Sequence, residues 1–133
     1  MTAPELPRVI DIGSLLQPHP PRTNFNLFWI DGAYTMRVAI VEDAFPWHYH
    51  PESDEAWLVL RGRVRIRTEV GDIELGTGMA TVVRSPLRHS PLALEEGTQV
   101  LIVNSALFTT VYTEPGVDHA AAGYRELEVD GAS

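Results

Sequence analysis

The chain has 133 residues, a formal charge of −8 and no cysteine, a length that fits one domain able to bury a core. Without thiols, disulfides and thiolate-held zinc or iron–sulfur sites are excluded, and any metal must be held by nitrogen and oxygen. The acidic balance disfavours nucleic acid and anionic membranes as partners, and all ten basic residues are arginine, which removes Schiff-base chemistry on a lysine.

Residues 1–30 read as an N-terminal arm, proline-rich at QPHPPR and carrying one short apolar piece, VIDIGSLL, that packs on the main body or on a partner. The opening MTAPELPRV lacks a basic region followed by an apolar run, and no apolar stretch approaches the roughly 20 residues of a membrane span, so a cytoplasmic protein is expected. Residues 31–112 read as a barrel. The runs YTMRVAIV, EAWLVL, RVRIRTEV, DIELG, ATVV, TQVLIVN and LFTTVYT, separated by glycine-containing turns, have the spacing of an all-β sandwich or barrel. Within RGRVRIRT, Arg61, Arg63, Arg65 and Arg67 alternate with Gly62, Val64 and Ile66. On a strand the arginines share one face, and a solvated outer face that discourages edge pairing accounts for them better than nucleic-acid binding. Residues 113–133 form a tail, with either a short helical turn around 120–126 or no regular structure.

FPWHYHPESDEAWLVLRG, residues 45–62, carries the chemistry. His48 and His50 leave the same face of a strand with Cα atoms about 7 Å apart, close enough to share a cation at about 2.1 Å. Glu55 has the opposite parity. Pro51, Ser53 and Asp54 signal a turn or bulge that resets it and returns a carboxylate to the histidines. A fourth candidate, His89, follows a proline loop in RSPLRHSP. Singly, each of these residues also fits an ordinary surface position or a polar turn.

Together, the pattern H-x-H-x4-E-x6-G and the later proline loop with its histidine resemble the two motifs of small single-domain cupins, over about residues 35–104. HYHPESDEAWLVLRGRVRI and GTGMATVVRSPLRH carry the match. Departures fall on turn positions: Glu42 stands where the first motif has glycine, and Arg84, Pro86 and Ala93 replace proline, glycine and asparagine of the second. The resemblance implies a single-domain, double-stranded β-helix jelly-roll barrel, often a homodimer. It also implies that His48, His50, Glu55 and His89 ligate one divalent transition metal ion: Fe, Mn, Ni, Co, Cu or Zn.

Three histidines and a carboxylate leave positions open for water, dioxygen or a small-molecule substrate. Trp57 shares the parity of Glu55 and would wall the pocket or pack in the core. Arg37 would point inward as a carboxylate or phosphate clamp, or outward to solvent. Arg84 and Arg88 flank the His89 loop and would reach the mouth or pair with surface acids, and Tyr49 faces away from the metal. The leading expectation is an oxygenase or other oxidoreductase acting on a small organic molecule. A Lewis-acid isomerase, cyclase or lyase would need a nearby acid or base, and His19 and His119 could supply one only by folding back onto the site. A non-catalytic ligand- or metal-binding module is the third reading.

Overall fold

Strict alternation of buried and half-buried residues along 55–60 and Thr98–Ser105 gives each strand one face turned inward, and these two strands pair at the centre of the molecule. The computed structural model describes residues 3–129. Its elements are α1 (Ile12–Leu16), β1 (Thr23–Ile30), β2 (Tyr34–Val41), β3 (His48–Tyr49), β4 (Glu55–Arg61), β5 (Arg63–Thr68) and β6 (Gly71–Gly76). They continue with β7 (Ala80–Val83), β8 (His89–Ala93), β9 (Thr98–Ser105), β10 (Val111–Tyr112), α2 (His119–Ala122) and β11 (Arg125–Glu128). A six-stranded sheet runs β11-β1-β2-β9-β4-β7 and a five-stranded sheet runs β10-β3-β8-β5-β6. The strand pairings are antiparallel except β1 with β11, and the result is the expected all-β jelly roll.

The core between the sheets is built from Ala39, Trp57, Val59, Val64, Ile66, Leu75, Val83, Val100 and Ile102. Burial of one such aliphatic side chain contributes about 1.5–3 kcal/mol. A second apolar layer lies on the outer face of the larger sheet, where Leu16 and its neighbours Ile10, Ile12 and Leu15 cover Phe25, Leu27, Val38 and Ile40. Gly62 links β4 to β5 at φ +89°, and a Cβ there would stand 2.4 Å from Thr98 Oγ1, so only glycine fits.

The larger sheet begins at Thr23 and ends at Glu128, so strands lie within both the segment read as an arm and the one read as a tail. The arginine run is split at Gly62 between β4 and β5, and β5 is an interior strand. Its arginines serve pairing on the outer face: Arg63 and Arg65 bond Glu74, and Arg67 donates to Ser90. The stretch LFTTVYT forms only the two-residue β10. Strands β1, β3, β8 and β11 lie outside the runs picked by apolar alternation, because each is short or interrupted by polar or proline residues.

Candidate metal centre

The ligands are brought together by strand pairing across the two sheets. His48 on β3 stands opposite His89 on β8, and both belong to the smaller sheet. His50 follows β3 directly. After it the chain crosses to the other sheet, where Glu55 opens β4. Glu55 therefore faces the histidines because the chain changes sheets, and the parity reset expected from a bulge is not the mechanism. Ser85 Oγ fixes the crossing by donating to the carbonyls of His50 and Pro51 at 2.6 and 2.8 Å.

His48, His50, Glu55 and His89 are all buried, and their ligand atoms lie within 4.8 Å of one another. Each imidazole has its Nδ1 on a main-chain carbonyl: His48 on Pro46 at 2.6 Å, His50 on Thr109 at 2.9 Å and His89 on Leu87 at 2.8 Å. A carbonyl only accepts, so each Nδ1 carries the proton and each neutral ring keeps its lone pair at Nε2. His50 Nε2 and His89 Nε2 lie 3.0 and 3.2 Å from the two oxygens of Glu55. His50 Nε2 is buried without an aligned hydrogen-bond partner. Lone pairs of nitrogen and carboxylate oxygen facing one another at this range call for a positive charge between them. One metal ion held by three Nε2 atoms and Glu55 fits that donor set.

The electrostatics of the metal-free cluster agree. Burial, reinforced by the neighbouring His89, pushes His48 down to about 3, so it stays neutral. Burial also opposes charge on His50, but the adjacent Glu55 carboxylate overrides it and raises His50. Glu55 is held well below the usual carboxylate range: burial works against its charge, and contacts with His50 and His89, with Arg37 nearby, outweigh it.

Glu55 is itself held by neighbours. Trp57 Nε1 donates to Oε1 at 2.7 Å and Asn104 Nδ2 to Oε2 at 3.1 Å. Trp57 thus both packs in the core and aims the carboxylate. Arg37 points inward and lies 3.7 Å from Glu55 Oε2. It also bonds Asn104 Oδ1 and stacks over Phe108 at 4.7 Å. Burial lowers Arg37, against the pull of Glu55 and Glu126. Arg84 pairs with Asp54, and Arg88 sits over the Tyr49 ring. None of these four residues lines the cavity above the ligands.

That cavity holds about 90 Å³. Its lining includes His48, His50, Glu55, Arg37 and Trp57, with Ala39, Val41 and Ile102 among the apolar walls. The tail folds back over it: His119, Tyr124 and Glu126 line it together with Tyr112 of β10. His19 lies elsewhere, edge-on to Phe25. Burial, then Glu126 and Asp118, raise Tyr112 and keep it a phenol. The sequence reading missed Asn104, Tyr112 and Glu126. Asn104 had a visible signal, as the polar residue in phase with Val100 and Ile102 on an inward strand face. Tyr112 and Glu126 had none, because their placement depends on where the tail docks.

The sequence profile of the cupin domain matches residues 34–104, more than half of the chain. The chain is a cupin. Among solved structures, a cupin-2 domain protein of Shewanella frigidimarina is 25% identical with a TM-score of 0.66, over 71% of this chain and 92% of that one. A protein of Neisseria meningitidis is 16% identical with a TM-score of 0.62, over 74% and 98%. The DMSP lyase DddQ of Ruegeria pomeroyi is 19% identical with a TM-score of 0.57, over 66% and 47%. No curated protein matches the sequence. The cupin barrel thus supplies the scaffold on which the three histidines and Glu55 converge.

Proposed function

We propose that this cupin is a metal-dependent enzyme that acts on a small organic molecule bound at a mononuclear centre of His48, His50, Glu55 and His89. The observation that carries the reading is the set of three Nδ1–carbonyl bonds, which turn three Nε2 lone pairs toward one carboxylate beside a cavity. A divalent ion bound there would supply Lewis acidity to a substrate oxygen. The chain's own residues do the rest. Trp57 and Asn104 hold Glu55 in place, and Arg37 adds positive charge on the same side. The apolar walls exclude water and leave room for a small oxo or hydroxy compound.

Lewis-acid chemistry is favoured over dioxygen activation because the cavity also carries His119, Tyr112 and Glu126, the acid and base groups that such a reaction needs. The oxygenase reading keeps one support, the apolar lining on one side of the centre. Metal analysis of the purified chain, followed by oxygen-uptake and product assays on small oxo and hydroxy acids with Zn, Ni, Mn, Co, Cu and Fe(II) in turn, separates the two. The expected result is stoichiometric metal and turnover without oxygen consumption. Turnover only with a redox metal and oxygen uptake transfers the assignment to an oxygenase. Failure to bind any of these metals overturns the enzyme reading.

A further inference from the structure

Three side chains outside the ligand set form one line of contacts along the cavity. Tyr112 Oη lies 2.9 Å from His119 Nδ1, and His119 Nε2 lies 3.1 Å from Glu126 Oε1. All three line the cavity that holds His48, His50 and Glu55. They come from separate elements. Tyr112 stands opposite His48 on the β10–β3 ladder, whereas Glu126 is placed by the pairing of β11 with β1, opposite Asn24. His119 bridges them from the start of α2, where Asp118 caps the helix by accepting from Ala121 N. The His119 and Glu126 side chains are 57% and 54% exposed, so their pairing contributes little to stability and packing does not explain it.

Carboxylate, imidazole and hydroxyl in this order are the parts of a proton relay. With Glu126 accepting from Nε2–H, neutral His119 keeps its lone pair at Nδ1 and Tyr112 donates to it. The phenol oxygen then turns its own lone pairs to the cavity. The charged groups around His119 are Glu126 and Asp118 on the tail, with Arg37 across the cavity.

We propose that Tyr112, His119 and Glu126 are the proton relay of this site, with His119 the group that takes up and returns the proton. The inference rests on the metal-dependent reading above and deepens it to a substrate class: small carbon acids with a C–H bond next to a carbonyl. In the step, that C–H bond breaks and its proton passes to Tyr112 Oη while the Oη–H proton passes to His119 Nδ1. The C–H electron pair moves into the carbonyl as an enolate, and Glu126 stabilises the imidazolium. Tyrosine is a phenol before and after, and no oxidant is needed. Return of the proton to a neighbouring carbon completes an isomerisation, and loss of a β-substituent from the enolate completes an elimination.

The test uses the zinc-reconstituted full chain and has two readouts. The first is the pair of His119 ring nitrogens followed by NMR against pH. In the wild type neutral His119 is expected as the Nε2–H tautomer. Glu126→Gln, which removes the charged acceptor at Nε2, and Tyr112→Phe, which removes the donor to Nδ1, should each shift the tautomer balance. The second is deuterium incorporation from D2O into pyruvate and hydroxyacetone. The wild type should exceed the buffer rate, and Tyr112→Phe and His119→Gln should each fall about a hundredfold while keeping their zinc. Unchanged exchange in both variants overturns the relay, and so does a zinc-loaded wild type that exchanges neither probe. A His119 signal that neither variant moves overturns it as well. Zinc content is read separately, so a wild type that binds no zinc sinks the metal reading instead.

Discussion

The two ends of the barrel are built from the same strands and do opposite things. Toward one end, Val59 and Val100 face each other at or below 1% exposure in a dry apolar core. At the other, inward positions of β2, β4 and β9 carry Arg37, Glu55 and Asn104, which meet His48, His50 and His89 from the facing sheet. The apolar end fixes the spacing of the two sheets. The polar end uses that spacing to hold four ligand atoms within 4.8 Å, a rigidity that loops alone would not give. Stability and chemistry are therefore separable along the strands, and substitutions can test the division.

The largest effect should come at the polar end. Glu55→Ala removes the carboxylate that three imidazoles face, and bound metal should fall from stoichiometric to background by elemental analysis while the circular dichroism of the barrel is retained. Val100→Ala tests the other end. It should cost about 2 kcal/mol in urea unfolding yet leave metal stoichiometry unchanged below the transition, and a parallel loss of metal would break the separation. Trp57→Phe sits where the two regions meet. It keeps an aromatic ring in the core but removes the hydrogen bond to Glu55 Oε1, so metal affinity should weaken about ten- to hundredfold, measured by competition with a chelator.

Acidification sharpens the contrast further. In the metal-free protein His48 is held near 3 against an ordinary 6.5, so between those values the unfolded chain binds more protons and stability falls as pH drops. His50 is raised and works in the opposite sense: its contribution is present at low pH and is lost as pH rises through its folded value. Urea midpoints of the metal-stripped protein from pH 7 to 4 should decline, and His48→Phe should flatten the decline. The smallest effect is expected outside both regions. Arg63→Ala, on the exposed outer face beside Glu74, should change neither metal content nor the unfolding midpoint measurably.

This division also explains how much was legible in the sequence. Alternation in EAWLVLR and TQVLIVNS reports which side chains turn inward, and it carried over directly to Glu55, Trp57, Val100 and Ile102. The four ligand candidates were legible because histidine pairs and proline breaks are local signals. Hydrogen bonds to Glu55 from Asn104 depend on the register of β4 against β9, which no local pattern fixes. The strand Thr23–Ile30 was hidden in TNFNLFWI, where alternation of asparagine with Phe25 and Leu27 gives way to a continuous apolar run at the point where the ladder is irregular, between Asn26 and Phe28. His119 was read as lying outside the core, and only the docking of β11 beside β1 returns it to the cavity.

That docking has a kinetic side. It joins Thr23 to Arg125, one of the most distant pairings along the chain, and contacts of large sequence separation close late in folding. The metal ligands are positioned by pairings that do not involve β11. The barrel and its four ligands can therefore assemble first, and the tail closes over a finished centre. Amide exchange should find β11 opening at a lower free energy than β4 or β9, giving the site a side through which ions and substrates enter and leave without unfolding the barrel.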